Sequence, residues 1–264
     1  MKIGIFDSGL GGLIIARSIR KMMPEYDYVY LGDTKRVPYG NRSHEAVFEF
    51  TKQGVEYLFK KENCAIVIIA CNTASARALR RIQQEYLVQN FPERKVLGVL
   101  VPTAEECAKY KRVGIIGTAG TITSNTFVDE IEKLNTKTKI FQNPAPMLVP
   151  LAEEGEKVRA VPFLNEYLKP FKAKKIEALA LGCTHYPFFK KEIRKILPKN
   201  IKIISQDEIV PKKLKDYFVR HPEISKQFSK GKTTKILLTD LTKNIEKLSK
   251  KWFGKDAKPE LIKL

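Results

Sequence analysis

The sequence predicts an α/β protein built largely on parallel sheet, and two observations carry that reading. Short apolar runs alternate with longer helical patterns along the whole chain, and part of this order occurs twice. Residues 2–6 begin the series with Lys-Ile-Gly-Ile-Phe. Further extended candidates lie at 28–31, 65–70, 95–100, 113–116, 178–181, 201–205 and 235–239. Most are continuously apolar, as expected for strands covered by helices on both faces. Helices are predicted between them at 13–23, 44–61 and 74–86. In the second of these Val47, Phe50, Gly54, Val55 and Leu58 fall on one face through spacings near three and four. The lysine-rich residues from Phe228 onward still carry a strand and a helix pattern, and low-complexity segments are absent.

The repeat is specific. Lys2-Ile-Gly-Ile-Phe-Asp-Ser8 parallels Arg112-Val-Gly-Ile-Ile-Gly-Thr118 at an offset of 110 residues, and each copy leads into a glycine-containing loop and a helix. Ala65-Ile-Val-Ile-Ile-Ala-Cys71 parallels Glu177-Ala-Leu-Ala-Leu-Gly-Cys183 at an offset of 112. Two related α/β units would each place a cysteine at the carboxyl end of a buried strand, where open parallel sheets hold ligands.

Length and composition narrow the function. A chain of 264 residues, 43% hydrophobic, can bury a proper core, which argues against intrinsic disorder. The longest apolar run, residues 64–71, is less than half of a membrane span, and Asp7 interrupts the apolar start before a secretory segment can form. A cytoplasmic location is expected. The net charge of +19 invites a nucleic-acid reading, yet Lys and Arg are dispersed and no zinc finger or RNA-binding aromatic signature accompanies them. A solvated basic surface that helps to draw in a small anion fits better, with neither nucleic acid nor membrane as partner.

Four cysteines, Cys64, Cys71, Cys107 and Cys183, lie far apart without a CxxC pair, so neither disulfides nor a structural zinc site is expected. Cys71 and Cys183 each follow an apolar strand and precede small hydrogen-bonding residues and a helical pattern. A thiol there lies near the positive end of a helix, which favours thiolate. A lone cysteine in such a place is ordinarily core filler; a matched pair is harder to explain that way. Cys64 opens its strand at the opposite end and Cys107 lies in a helical pattern, so both read as structural. His185 is two residues from Cys183 and suits proton exchange there, whereas His44 and His221 flank helices and read as surface or capping residues. Asp7-Ser-Gly-Leu-Gly-Gly12 joins strand to helix and offers N–H groups, a carboxylate and a hydroxyl to a ligand, or else a plain capping turn. It lacks the third glycine of a dinucleotide loop, and Gly231-Lys-Thr233 lacks the leading glycine of a phosphate loop, where Lys226 stands. Asp33, Pro38, Tyr39 and Gly40 form a long loop that is either a turn or a substrate wall.

Together these residues resemble the glutamate racemases of the aspartate/glutamate racemase superfamily. The matching segments are Gly4-Ile-Phe-Asp-Ser-Gly-Leu-Gly-Gly12, Gly32-Asp-Thr34, Val37-Pro-Tyr-Gly40, Ile69-Ala-Cys-Asn-Thr-Ala74, Gly117-Thr118 with Thr121 and Ser124, Val149-Pro150 with Glu153 and Glu154, and Leu181-Gly-Cys-Thr-His-Tyr-Pro187. Residues 233–264 resemble the family's final strand and helix. The weakest match is Ile204-Ser-Gln-Asp-Glu208, where the family has a simpler aspartate-containing turn.

The resemblance implies two similar lobes related by pseudo-twofold symmetry, one of residues 1–97 with 208–264 and the other of 98–207, with glutamate in the cleft between them. It implies racemisation by two bases, Cys71 acting on D-glutamate and Cys183 on L-glutamate, with Asp7 and His185 assisting proton movement and D-glutamate supplied for peptidoglycan synthesis. Ser8, Asn72, Thr73, Thr118, Thr121 and Thr184 suit the carboxylates, and Asp7 the ammonium. Pro38, Tyr39, Gly40 and His185 join the substrate wall, and Asp33 and Glu153 are assisting candidates. No pyridoxal-lysine motif or metal cluster is evident in the sequence, so catalysis without a cofactor is expected. An aspartate racemase and a basic nucleic-acid-associated protein stand as alternatives. A homodimer is compatible with the sequence.

Overall fold

The computed structural model describes residues 1–264. Its strands are β1 (Lys2–Asp7), β2 (Tyr28–Gly32), β3 (Cys64–Ile69), β4 (Lys95–Gly98), β5 (Arg112–Gly117), β6 (Lys139–Pro144), β7 (Ala178–Gly182), β8 (Lys202–Ile204), β9 (Thr234–Leu238) and β10 (Pro259–Leu261). Six form one sheet in the order β10-β9-β2-β1-β3-β4, and four form another in the order β6-β5-β7-β8. Every pairing is parallel. The segment β2-β1-β3-β4 and the whole second sheet therefore follow one scheme, in which the first strand of a unit lies between the second and the third. The sequence repeat is thus a structural one.

Side-chain alternation explains the apolar runs. In β1, Ile3 and Ile5 enter one core while Phe6 enters another on the opposite face, and in β3 the same split separates Ile66 and Ile68 from Val67 and Ile69. One cluster of 43 buried residues includes Ile3, Ile5 and Ile68 of the first sheet and Ile116, Leu179 and Leu181 of the second. The two sheets are consequently packed into shared core and do not have wholly separate interiors. Helices Gly12–Met22, Lys157–Ala173, Gln206–Arg220 and Lys243–Trp252 contribute to this cluster through Leu13, Leu164, Leu214 and Trp252 among others. Helix His44–Lys60 is started by Ser43, whose hydroxyl accepts from Ala46 N–H at 3.2 Å, a cap worth about 1 kcal/mol. No helix is long and apolar enough to cross a membrane.

Some expected elements differ. The strand expected at 95–100 ends at Gly98, and Leu100 already begins helix Leu100–Cys107; Pro102 is tolerated in its first turn because N–H groups there need no intrahelical acceptor. The helix expected at 74–86 starts earlier, at Asn72, and turns at Ala78 before continuing with a wide turn over Ile82–Tyr86. Just before that break Arg77 leaves the helix line to donate to the carbonyls of Gly120 and Arg42. Strands β6 and β10 are additions. Both are sheet edges, one half-buried and ending in a proline, the other three residues long and starting with one.

Gly231-Lys-Thr233 is a structural turn. Asp27, buried immediately before β2, accepts from Gly231 N–H at 3.0 Å, Thr233 N–H at 2.9 Å and the Thr233 hydroxyl at 2.6 Å, and so docks the chain entering β9. A Cβ on Gly231 would lie 2.7 Å from Asp27 Oδ1. Burial opposes the carboxylate charge, but these donors outweigh it and hold Asp27 well below the usual carboxylate range. Its stabilisation is therefore complete above about pH 4 and is lost as pH falls toward the lowered pKa. Asp27→Ala is expected to cost about 2–3 kcal/mol in urea unfolding at pH 7, with the gap to the parent protein narrowing in strong acid.

Candidate active site

Cys71 lies two residues beyond β3 and Cys183 directly follows β7, one thiol from each sheet. Both line a cavity of about 390 Å³. Ser8, Asn72 and Thr73 accompany Cys71, and Thr118, Thr184 and His185 accompany Cys183. Pro38, Tyr39, Gly40 and Glu153 complete the expected lining, and Met147, Val149 and Pro150 add an apolar side. Asp7, Asp33 and Thr121 stand behind this surface. A larger cavity of about 500 Å³ beside Arg80, Lys213 and Arg220 holds neither thiol.

Around Cys71 the loop after β1 approaches closely. The Ser8 hydroxyl donates to the Cys71 sulfur at 3.2 Å, and Cys71 caps helix Asn72–Arg77 by accepting from Ala74 N–H at 3.4 Å. These donors favour thiolate, as the sequence position suggests. Burial outweighs them, and with the nearby Asp7 carboxylate it pushes Cys71 up to about 12, so the expected lowering does not occur in the free protein. Asp7 is fully buried; Gly9 N–H donates to its Oδ2 at 3.1 Å, while Oδ1 has no hydrogen-bond partner. Burial raises the Asp7 carboxyl against the opposing charge of His185.

Cys183 is differently equipped. His185 Nδ1 lies 3.7 Å from its sulfur, and His185 Nε2 lies 3.0 Å from Glu153 Oε1. Burial works against an imidazolium here, but the hydrogen bonds to Cys183 and Glu153 prevail and hold His185 at about 10. At neutral pH both ring nitrogens are then donors, one toward sulfur and one toward carboxylate. Trp252, from the C-terminal helix, meets the imidazole edge-on with ring centroids 5.4 Å apart. Gly11 makes this assembly possible: a Cβ there would lie 2.6 Å from His185 Nδ1 and would also strike the Thr184 hydroxyl.

Three hydroxyls bridge the two sides. Thr73 and Thr118 are 2.9 Å apart, Thr118 and Thr121 3.0 Å, and Thr73 and Thr121 3.3 Å. Asp33 acts on the wall from beneath, accepting from the Tyr39 hydroxyl at 2.5 Å, Arg36 Nε at 2.6 Å and the Thr239 hydroxyl at 2.9 Å. Cys64 and Cys107 are fully buried in apolar clusters away from the cavity, while His44 and His221 lie at helix ends. Sequence reasoning missed Trp252 and the apolar Met147. Gln206, which bonds Asn72, fell in the segment that matched the family pattern least.

Comparison with known proteins agrees with this architecture. The family model described as Asp/Glu/Hydantoin racemase matches residues 14–208. A glutamate racemase of Aquifex aeolicus is 38% identical over 266 residues, covering 99% of this chain and 97% of that protein. The crystal structure of a Francisella tularensis glutamate racemase in complex with D-glutamate superposes with a TM-score of 0.89 at 30% identity, covering 99% of this chain and 97% of that one. A Bacillus anthracis glutamate racemase isoform gives 0.90 at 30% identity, with 100% and 97% covered.

Proposed function

Because this chain belongs to the Asp/Glu/hydantoin racemase family, we propose that it interconverts L-glutamate and D-glutamate by two thiols acting on opposite faces of the α-carbon. The observation that carries this reading is that each sheet brings one thiol to the same cavity. In the L-to-D direction the Cys183 thiolate takes the α-proton, leaving a planar carbanion, and the Cys71 thiol returns a proton to the other face. The reverse direction exchanges the roles, so the two sulfurs titrate as a pair. Burial of Cys71 as a neutral thiol and the charged His185 beside Cys183 suit the form that accepts L-glutamate.

Ser8, Asn72, Thr73, Thr118 and Thr184 offer donors to the two carboxylates, with Thr121 steadying the hydroxyl cluster. Asp7, behind Cys71, and the His185–Glu153 pair, behind Cys183, serve proton movement on their respective sides. The carbanion's charge is met by fixed donors, and no group beyond the side chains named is required. The relatives' names favour glutamate over aspartate. Residues 1–97 with 208–264 and residues 98–207 act as the two lobes, the basic surface serves attraction of the anionic substrate, and the role in the cytoplasm is to supply D-glutamate for peptidoglycan.

L-glutamate incubated with the purified protein, without added pyridoxal phosphate, metal or nucleotide, is expected to lose its circular dichroism signal completely, and in heavy water the α-position should take up deuterium. A stable signal would overturn the activity; loss of turnover on treatment with chelator, restored by a metal, would overturn the cofactor-free mechanism.

A further inference from the structure

Gln206 is fully buried where the chain leaves β8 and begins helix Gln206–Arg220. Its amide meets that of Asn72, the residue after Cys71, in a reciprocal pair. Asn72 Nδ2 donates to Gln206 Oε1 at 2.8 Å, and Gln206 Nε2 donates to Asn72 Oδ1 at 2.7 Å. The second Nε2 hydrogen goes to the Thr103 hydroxyl at 3.2 Å. That hydroxyl spends its own hydrogen on the Val99 carbonyl at 2.7 Å, so toward Gln206 it is an acceptor. The chain of donors fixes which end of each amide is nitrogen. Asn72, which lines the cavity, is left with one N–H and one carbonyl lone pair in a set orientation.

The partners of Gln206 make this more than local packing. Val99 and Thr103 lie where the chain leaves the first sheet, Val99 directly after β4 and Thr103 within helix Leu100–Cys107, and Gln206 belongs to the passage by which it returns. The returning crossing is thereby hydrogen-bonded directly to the residue beside Cys71, and the outgoing one reaches it through Gln206. Cys183 is supported by other means, through His185 and Glu153. We propose that Gln206 is a positioning residue for the Cys71 half of the reaction, holding the Asn72 amide in register with the substrate and tying that register to the two interlobe crossings. The inference rests on the two-thiol reading given above.

Because the equilibrium constant of a racemisation is one, kcat/KM is the same from either enantiomer in every variant, and steady-state racemisation cannot separate the halves. Elimination can. With 3-chloroglutamate, loss of the α-proton to a thiolate lets the electron pair form a Cα–Cβ double bond as chloride departs; hydrolysis of the enamine then yields 2-oxoglutarate and ammonia. One base suffices, Cys71 for the D-form and Cys183 for the L-form. Gln206→Leu leaves the Asn72 amide without its partner, and elimination from D-3-chloroglutamate is expected to fall roughly 10- to 100-fold, while that from the L-form stays within about threefold and certifies the fold. Equal losses on both enantiomers, or none, would overturn the proposal. If Gln206→Leu does not fold, Thr103→Val is read in the same way, with a smaller loss confined to the D-form expected and an even loss overturning. Cys71→Ser and Cys183→Ser run alongside: if they fail to separate the enantiomers the two-thiol reading itself has failed and this inference with it, whereas an even response to Gln206→Leu beside separated cysteine variants refutes the inference alone.

Discussion

Cys71→Ser and Cys183→Ser each reduce racemisation by about 10²- to 10⁴-fold, the range over which a positioned acid or base contributes. A hydroxyl is far too weak an acid to yield the basic form at neutral pH, and in the proposed mechanism neither thiol can stand in for the other because each addresses one face of the α-carbon. The exchange of sulfur for oxygen removes little volume at a polar cleft, so both variants stay folded, as circular dichroism and thermal unfolding will show. Elimination from 3-chloroglutamate then divides them: Cys71→Ser retains the L-form reaction and Cys183→Ser the D-form reaction. Cys64→Ser and Cys107→Ser behave in the opposite sense, losing stability through a buried hydroxyl while keeping turnover. Equal loss of both enantiomers in the two active-site variants, with the fold intact, would refute the assignment of one base to each face.

His185 gives the second large effect, and its sign follows from its raised pKa. Held at about 10 by Cys183 and Glu153, it is charged through neutral pH and donates to the Cys183 sulfur when that thiol has given up its proton. Activity from L-glutamate is therefore expected to fall as pH rises through about 10. Glu153→Gln removes one of the two interactions that sustain the charge, and the alkaline limb of kcat/KM against pH should move down by about one to two units, while His185→Gln should cost roughly 10²-fold across the range. The same linkage acts on stability. A group whose pKa is raised on folding contributes fully below its unfolded pKa, about 6.5, and that contribution disappears as pH climbs through the folded value. An alkaline limb that does not respond to Glu153→Gln would show that His185 draws its charge from elsewhere.

Most of the fold was legible because parallel strands buried on both faces advertise themselves as continuous apolar runs. Residues 65–70 and 178–181 are of this kind, and the repeat aligns them from sequence alone. Strand β6, Lys-Ile-Phe-Gln-Asn-Pro, was silent because an edge strand needs only one covered side, and its polar residues read as loop. Helix Lys157–Ala173 was obscured by Pro162 and Pro170, which interrupt the pattern although the surrounding packing of Leu164 and Leu168 sustains it. At the candidate site, residues near each cysteine in sequence were visible because the loop after a strand must pass its ligand. Gln206 and Trp252 were not. They reach the site from chain segments with no local feature beyond an ordinary helix, and their relation to Asn72 and His185 exists only once the helices are packed.

The shared strand order bears on how such a protein arises. A half-length chain with this strand order, paired with its own copy about a twofold axis, would already present two equivalent sulfurs to one cavity, and a flat carbanion lying along that axis would turn one side to each. Joining two gene copies into one reading frame adds nothing to that arrangement, but it releases each copy to mutate alone. In this chain one descendant keeps a serine hydroxyl and an amide pair beside its sulfur, and the other keeps an imidazole and a glutamate. On the two-thiol mechanism proposed above, duplication preserves a reaction with no preferred direction while allowing its two executors to become chemically unlike, and a drift in either copy must be answered by the other, since no product forms unless both complete their part.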